Sequence, residues 1–109
     1  MEREKDIRIW ILNDYYGSML TDYQREMVRL YYDRDLSLAE IAEQYGVSRQ
    51  AVREVLVRSR QKLLEWEDRL HLLAKLASVA DKIEALIDRT DDPVLTTALQ
   101  AILAEVKDI

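Results

Sequence analysis

The chain has 109 residues, of which 49% are apolar and 34% charged, and its formal net charge is −5. With two glycines and one proline, the chain has few residues suited to β-hairpins and tight loops. The absence of cysteine excludes disulfides and thiolate metal sites. We therefore expect an all-α fold, in one compact domain or a small domain with an appendage, and a cytoplasmic protein without signal peptide or membrane insertion.

Two helices are predicted in the first third of the chain, over residues 4–16 and about 22–33, the second capped by Thr21. Three- and four-residue spacing defines the expected apolar face of the first helix: Ile7, Trp10 and Ile11, with Tyr15 as a further candidate. Four tyrosines could be taken for a base-stacking platform: Tyr15, Tyr16, Tyr31 and Tyr32. Aromatic residues at helical spacing more often belong to a core with a polar tip at the surface, which is the interpretation we favour.

Residues 37–55 are predicted to form two helices joined by a tight turn. Ser37 and Glu40 form a capping box, in which each side chain accepts a hydrogen bond from an unpaired amide at a helix start. Gly46 stands where the helix end needs a left-handed backbone, and Ser48 caps the next helix. Ala42 is small where the second helix must come close. Together these signals predict a helix-turn-helix.

The helix that begins at Arg49 has no obvious end. Neither glycine nor proline occurs between Val47 and Pro93, so one long helix is compatible with the sequence, as are two helices broken between residues 71 and 81. The apolar positions follow a heptad pattern: Val52, Leu56, Leu63, Trp66, Leu70, Leu73, Ala77 and Ala80, with Ser59 filling the gap. This seam predicts a homodimer formed at least partly through the long helix.

Turn-forming residues 90–93 must end this helix, and a final helix follows from residue 94 or 95 to about residue 106. Its apolar stripe consists of Leu95, Leu99, Ile102, Leu103 and Val106. The stripe suits antiparallel packing in a C-terminal helical hairpin. We divide the chain into a helix-turn-helix domain, residues 1–72, and this hairpin, residues 73–109, which serves packing or dimerisation.

Basic residues concentrate in the second helix of the helix-turn-helix. Residues 48–62 hold five basic residues and one acid, whereas residues 63–109 hold five basic residues and ten acids. An acidic protein with one basic helix concentrates its attraction for phosphate in one place. A solvated helix face is the simpler alternative, but the coincidence with the helix-turn-helix favours binding of nucleic acid, either DNA or RNA.

Candidate contacts follow from position along this helix. The first turns of such helices meet base edges in the major groove, where Arg suits guanine and Gln suits adenine through paired hydrogen bonds. The residues there are Ser48, Arg49, Gln50 and Arg53. Three later cations are better placed for phosphates, which give affinity without sequence information: Arg58, Arg60 and Lys62.

The sequence contains almost no residues suited to catalysis or to metal binding. His71 is the only histidine, and we expect it on a helix surface or in the seam, not as a base or metal ligand. No acidic spacing resembles a calcium loop, and no glycine-rich phosphate cradle is present. We therefore expect neither an enzyme nor a cofactor.

Four segments closely resemble the YlxM family of bacterial helix-turn-helix proteins: Leu20-Thr21-Asp22, Leu30-Tyr31-Tyr32, residues 37–43 and residues 46–52. Within this resemblance, which covers about residues 1–72, the unit is also similar to the C-terminal promoter-reading domain of sigma factors, and residues 48–53 match its DNA-reading segment. YlxM genes of Gram-positive bacteria lie beside the gene of Ffh, the signal recognition particle GTPase. The resemblance therefore implies a regulatory or accessory role in that protein-targeting pathway.

A helix-turn-helix does not guarantee DNA as its target. The alternative is an adaptor that uses the same fold to bind the RNA of the particle or its GTPase Ffh, with the acidic hairpin as a protein-binding face.

Overall fold

The computed structural model describes residues 6–108, in which every regular element is helical. The helices are α1 Ile7–Tyr16, α2 Asp22–Val28, α3 Leu38–Tyr45, α4 Arg49–Leu70, α5 Leu72–Arg89 and α6 Pro93–Lys107. The predicted all-α class is confirmed. The chain divides into two compact units, Met1–Leu70 and His71–Ile109. In the described part of the chain, no helix has the length and apolar character needed to cross a membrane.

α1 buries a different face from the one predicted. Asp6 is extended and accepts a hydrogen bond from the Arg8 amide at 2.9 Å, so the helix begins at Ile7, and the predicted start at residue 4 lies outside the described residues. The buried residues are Ile9, Leu12, Asn13 and Tyr16. The predicted face is exposed: Ile7, Trp10 and Ile11. That prediction was wrong because α1 is apolar on nearly every side, so spacing alone supports two stripes.

α2 begins at the predicted Thr21 cap, which forms a capping box with Gln24, and it leads into a π-helical turn, Arg29–Asp33. The predicted helix over residues 22–33 therefore changes its hydrogen bonding after Val28. The Arg34 amide donates to the Arg29 carbonyl, five residues back, at 3.0 Å. This wider turn buries three consecutive side chains: Leu30, Tyr31 and Tyr32.

Three of the four tyrosines considered for base stacking lie in the core. Tyr16, Tyr31 and Tyr32 are buried, while Tyr15 is half-buried. The rings of Tyr31 and Tyr32 meet edge to face with centroids 5.0 Å apart. The Tyr16 hydroxyl donates to Glu67 Oε1 at 2.6 Å. The core interpretation is confirmed, because no stacking platform can form from buried rings.

α4 packs against α1, α2 and α3 and thus holds the first unit together. Its buried residues are Val52, Leu56, Ser59, Leu63 and Glu67. Ser59 fits among apolar neighbours because its hydroxyl donates to the Val55 carbonyl at 2.7 Å. The heptad positions from Val52 to Leu63 therefore pack inside their own unit, whereas Trp66 is half-buried and Leu70 is exposed.

The helix breaks at His71, so the second of the two predicted alternatives is correct. His71 has a left-handed backbone, with φ 53° and ψ 29°, between the end of α4 and the start of α5. Histidine is among the residues enriched in this conformation. The side chain is exposed, as expected for a surface residue, but it stands at the break between two helices and not within one, so that part of the expectation was wrong.

α5 and α6 pack against each other across the short connection of residues 90–92. Asp92 caps α6 by accepting a hydrogen bond from the Val94 amide at 2.9 Å, and Pro93 occupies the first helical position. The predicted final helix is confirmed, with the bounds Pro93–Lys107. Lys107 Nζ lies 3.3 Å from Glu84 Oε1 and joins the two helices.

Candidate nucleic-acid interface

Side-chain caps fix both helix starts of the helix-turn-helix. The Glu40 amide donates to Ser37 Oγ, and the Ser37 amide donates to Glu40 Oε1, both at 3.0 Å. At the start of α4, Ser48 Oγ accepts a hydrogen bond from the Ala51 amide at 3.0 Å. These are the predicted caps. The predicted helix-turn-helix is confirmed, with α3 and α4 as its two helices.

Gly46 makes the turn between these helices. Its backbone is left-handed, with φ 66° and ψ 36°. The following amide, of Val47, reaches back to the Ala42 carbonyl at 3.0 Å, which closes the end of α3. The direction in which α4 leaves the turn therefore depends on a backbone conformation that glycine adopts without strain.

Replacing Gly46 with alanine is expected to lower the free energy of unfolding by about 1–2 kcal/mol, the cost of a left-handed backbone for an ordinary residue. An added Cβ would meet no atom within 4 Å, so this cost is purely conformational. Gly46→Asn should recover part of the loss, since asparagine visits this region more readily. Urea denaturation measures the free energy of unfolding of wild type, Gly46→Ala and Gly46→Asn. Equal stability of wild type and Gly46→Ala would contradict the prediction.

The first turn of α4 presents positive charge and hydrogen-bond donors, and it contains no acid. Ser48, Arg49, Gln50 and Arg53 are all exposed. A helix N-terminus carries a partial positive charge, and here two arginines add to it. This end of α4 is therefore suited to binding anionic groups and to donating hydrogen bonds.

Three stripes cover the exposed face of α4, because residues three or four apart are neighbours on a helix surface. The central stripe consists of Gln50, Glu54, Val57 and Gln61, one edge carries Arg49 and Arg53, and the other edge carries Arg58 and Lys62. At about 100° per residue, the two cationic edges lie on opposite sides of the central stripe. They are also displaced by about 14 Å along the helix axis, at about 1.5 Å per residue.

Arg60 differs from the other predicted contacts. It is half-buried, and its Nε atom has no exposed surface. By helical spacing it lies on the edge of Arg49 and Arg53, but two to three turns further on, where α4 is already partly covered by its own unit. Arg60 is thus the least accessible of the seven predicted residues.

Glu54 and Gln61 belong to the central stripe, and the sequence-based prediction missed them. Gln50 Nε2 donates to Glu54 Oε1 at 3.4 Å, so these two side chains already contact each other. A glutamate in such a position can accept a hydrogen bond from the amino group of cytosine. Three- and four-residue spacing from Gln50 would have identified both residues.

The described part of the chain does not bring its acidic side chains and its single histidine together. Among residues 6–108, no three side chains of His, Cys, Asp or Glu come together to hold a metal ion. Over residues 48–62, the exposed groups are guanidinium, ammonium, amide and hydroxyl groups with one carboxylate, that of Glu54. This set can donate hydrogen bonds and bind anions.

Comparisons with known proteins agree with this architecture. Residues 3–102 match the model of the family UPF0122, described as "Putative helix-turn-helix protein, YlxM / p13 like". The UPF0122 protein of Symbiobacterium thermophilum is 45% identical over 105 residues, which cover 93% of this chain and 98% of that protein. The UPF0122 protein of Halalkalibacterium halodurans is 40% identical over 100 residues, 92% of each chain.

Proposed function

Since the chain belongs to the UPF0122 family of YlxM / p13-like helix-turn-helix proteins, we propose that it binds duplex DNA through the exposed face of α4. The observation that carries this proposal is the acid-free, cationic first turn of α4, placed directly after the Gly46 turn. In helix-turn-helix proteins this part of the second helix enters the major groove.

Base recognition is assigned to the first turns of α4. Arg49 and Arg53 can each donate two hydrogen bonds to guanine, and Gln50 can pair with adenine through its amide. Ser48 keeps its hydroxyl proton for a phosphate or a base, because its Oγ serves the helix cap only as an acceptor. These four residues would set the preferred sequence.

Phosphate contacts are assigned to the later cations. Arg58 and Lys62 are exposed on the edge opposite Arg49 and Arg53. The major groove is about 12 Å wide, so cations on two edges of one helix can approach the phosphates of both strands. Arg60 contributes positive charge from its half-buried position. These contacts position the protein on the duplex and make its affinity sensitive to salt.

The charge distribution supports a localised contact. The whole chain carries a net charge of −5, so its overall electrostatic interaction with nucleic acid is repulsive. Attraction is then confined to α4, where five basic residues outnumber one acid over residues 48–62. The rest of the surface therefore makes few non-specific contacts with nucleic acid that would compete with binding through α4.

The finer part of the proposal is a regulatory or accessory role in the signal recognition particle pathway, in the cytoplasm. It is supported by the resemblance of residues 1–72 to YlxM proteins. An adaptor that binds the particle's RNA or Ffh is the second candidate. One observation favours it: the unit His71–Ile109 holds four basic and seven acidic residues, and an acidic surface suits a basic protein partner.

Fluorescence anisotropy of the full chain against a duplex DNA pool, the particle RNA and Ffh, over a range of salt concentrations, tests the proposal. Neutralisation of about three phosphates, by Arg58, Arg60 and Lys62, predicts a slope of log affinity against log salt of about −2.7 for duplex DNA. Binding to the RNA alone with steep salt dependence, or to Ffh alone, would favour the adaptor. Absence of salt-dependent binding to duplex DNA at micromolar protein would contradict the DNA-binding function.

A further inference from the structure

We propose that the α5–α6 unit forms a four-helix bundle with the same unit of a second copy of this chain. The motivating observation is its burial: among residues 71–108, only Ile83 is buried. The remaining apolar side chains of α5 and α6 are half-buried or exposed. Two helices alone can cover only one stripe of each other, and here a second stripe on each helix stays uncovered.

A unit of this size is difficult to stabilise while the second apolar stripe of each helix is exposed to water. The compact unit is His71–Ile109, which is shorter than the roughly 40 residues below which isolated units usually need disulfides, metals or oligomerisation. The chain has no cysteine, and no group suited to a metal ion occurs among residues 6–108. Association with another protein surface is the remaining one of these means of stabilising the unit. A second copy of the chain is a partner that is present whenever this chain is.

The uncovered side chains have the spacing of a helix-packing seam. Val79 and Leu86 of α5 are seven residues apart and 43% and 52% exposed. Leu95 and Ile102 of α6 are also seven residues apart and 47% and 48% exposed. On each helix the pair lies next to the half-buried stripe, so the seam widens the apolar face without interrupting it. Both helices thus carry an uncovered apolar stripe of the kind that packs in helical bundles.

Charges beside the seam indicate which helices meet. On α5, the flank next to Val79 and Leu86 carries three cations at seven-residue spacing: Lys75, Lys82 and Arg89. On α6, the flank next to Leu95 and Ile102 carries Glu105. Pairing α5 with α5 would bring two rows of cations together, whereas pairing α5 of one copy with α6 of the other brings opposite charges together. We therefore assign the α5–α6 pairing between copies.

Sedimentation equilibrium of the full chain at tens of micromolar is expected to give twice the chain mass. Leu86→Glu and Ile102→Glu each place a charge in the seam and should raise the dissociation constant about 100-fold or more. Ala85→Glu and Ala101→Glu are the matched controls, since both alanines are exposed outside the seam, and they should stay dimeric. Monomeric wild type, or equal weakening in the controls, would overturn the proposal.

A variant at an exposed charged residue tests self-association without disturbing the fold. Lys82 is exposed, so Lys82→Glu should leave the helix content by circular dichroism unchanged. In the proposed arrangement it weakens association by about two- to fivefold, the range for exposed charge pairs, and Glu105→Lys in the same chain restores part of the affinity. Tighter association of Lys82→Glu would instead indicate α5 against α5 and would overturn the assigned pairing.

Discussion

Replacing both Arg49 and Arg53 with alanine is expected to weaken binding to duplex DNA by roughly 30- to 25,000-fold, because each arginine that contacts a base contributes about 1–3 kcal/mol. Both side chains are exposed on one edge of α4. Their removal should leave the fold intact, and because both are assigned to bases it should change the salt slope by less than the value of about one expected for loss of a phosphate contact. Fluorescence anisotropy at several salt concentrations measures both quantities.

Arg69→Ala is the matched control for this double variant. Arg69 is exposed and lies in the last turn of the same helix, about 24 Å along the axis from Arg53. We expect less than a twofold change in DNA affinity from its removal. Unchanged binding by the double variant, with wild-type circular dichroism, would contradict the assignment of α4 as the DNA-reading helix. So would an equal reduction in Arg69→Ala.

The helix-turn-helix could be predicted from sequence because its signals are local. A cap and its acceptor stand three residues apart, as in Ser37 and Glu40, and the turn needs one left-handed residue, Gly46. Such signals act through backbone groups a few residues away, so they do not depend on the rest of the fold. The position of every predicted cap in this region was therefore correct.

Predictions that required tertiary contacts fared less well. α1 is apolar on most sides, and its packing on α2, α4 and the π-helical turn decides that Ile9 and Leu12 are buried and Trp10 exposed. The polar Asn13 is buried on the same face, where its Nδ2 donates to the Arg25 carbonyl at 3.3 Å. Hydrophobic spacing gives no weight to a buried amide, so it could not select this stripe.

The candidate site shows the same division between local and tertiary information. Which residues stand on the first turn of α4 follows from the Ser48 cap alone, and their exposure was expected. The half-burial of Arg60 depends on how much of α4 the other helices cover, which spacing along one helix does not contain. The break at His71 is of this kind too, since neither glycine nor proline marks it.

The heptad pattern was a correct observation with two structural outcomes. In α4 the seam positions, such as Leu56 and Leu63, are fully buried inside their own unit. In α5 the predicted seam positions are less covered, since Leu73 and Ala80 are half-buried and Ala77 is exposed. A seven-residue repeat indicates that a helix has an apolar stripe, but whether that stripe packs within one chain or between two chains depends on the neighbouring helices.

Leu56→Ala should therefore lower the free energy of unfolding by about 2–5 kcal/mol, as expected for a fully buried leucine that leaves a cavity. Leu70→Ala, the same change at the exposed end of α4, should cost less than about 1 kcal/mol, because Leu70 is 52% exposed. Urea denaturation monitored by circular dichroism compares the two. If Leu56 packs within one chain, the destabilisation by Leu56→Ala is the same at low and high protein concentration, whereas a seam between copies of α4 would make it depend on concentration.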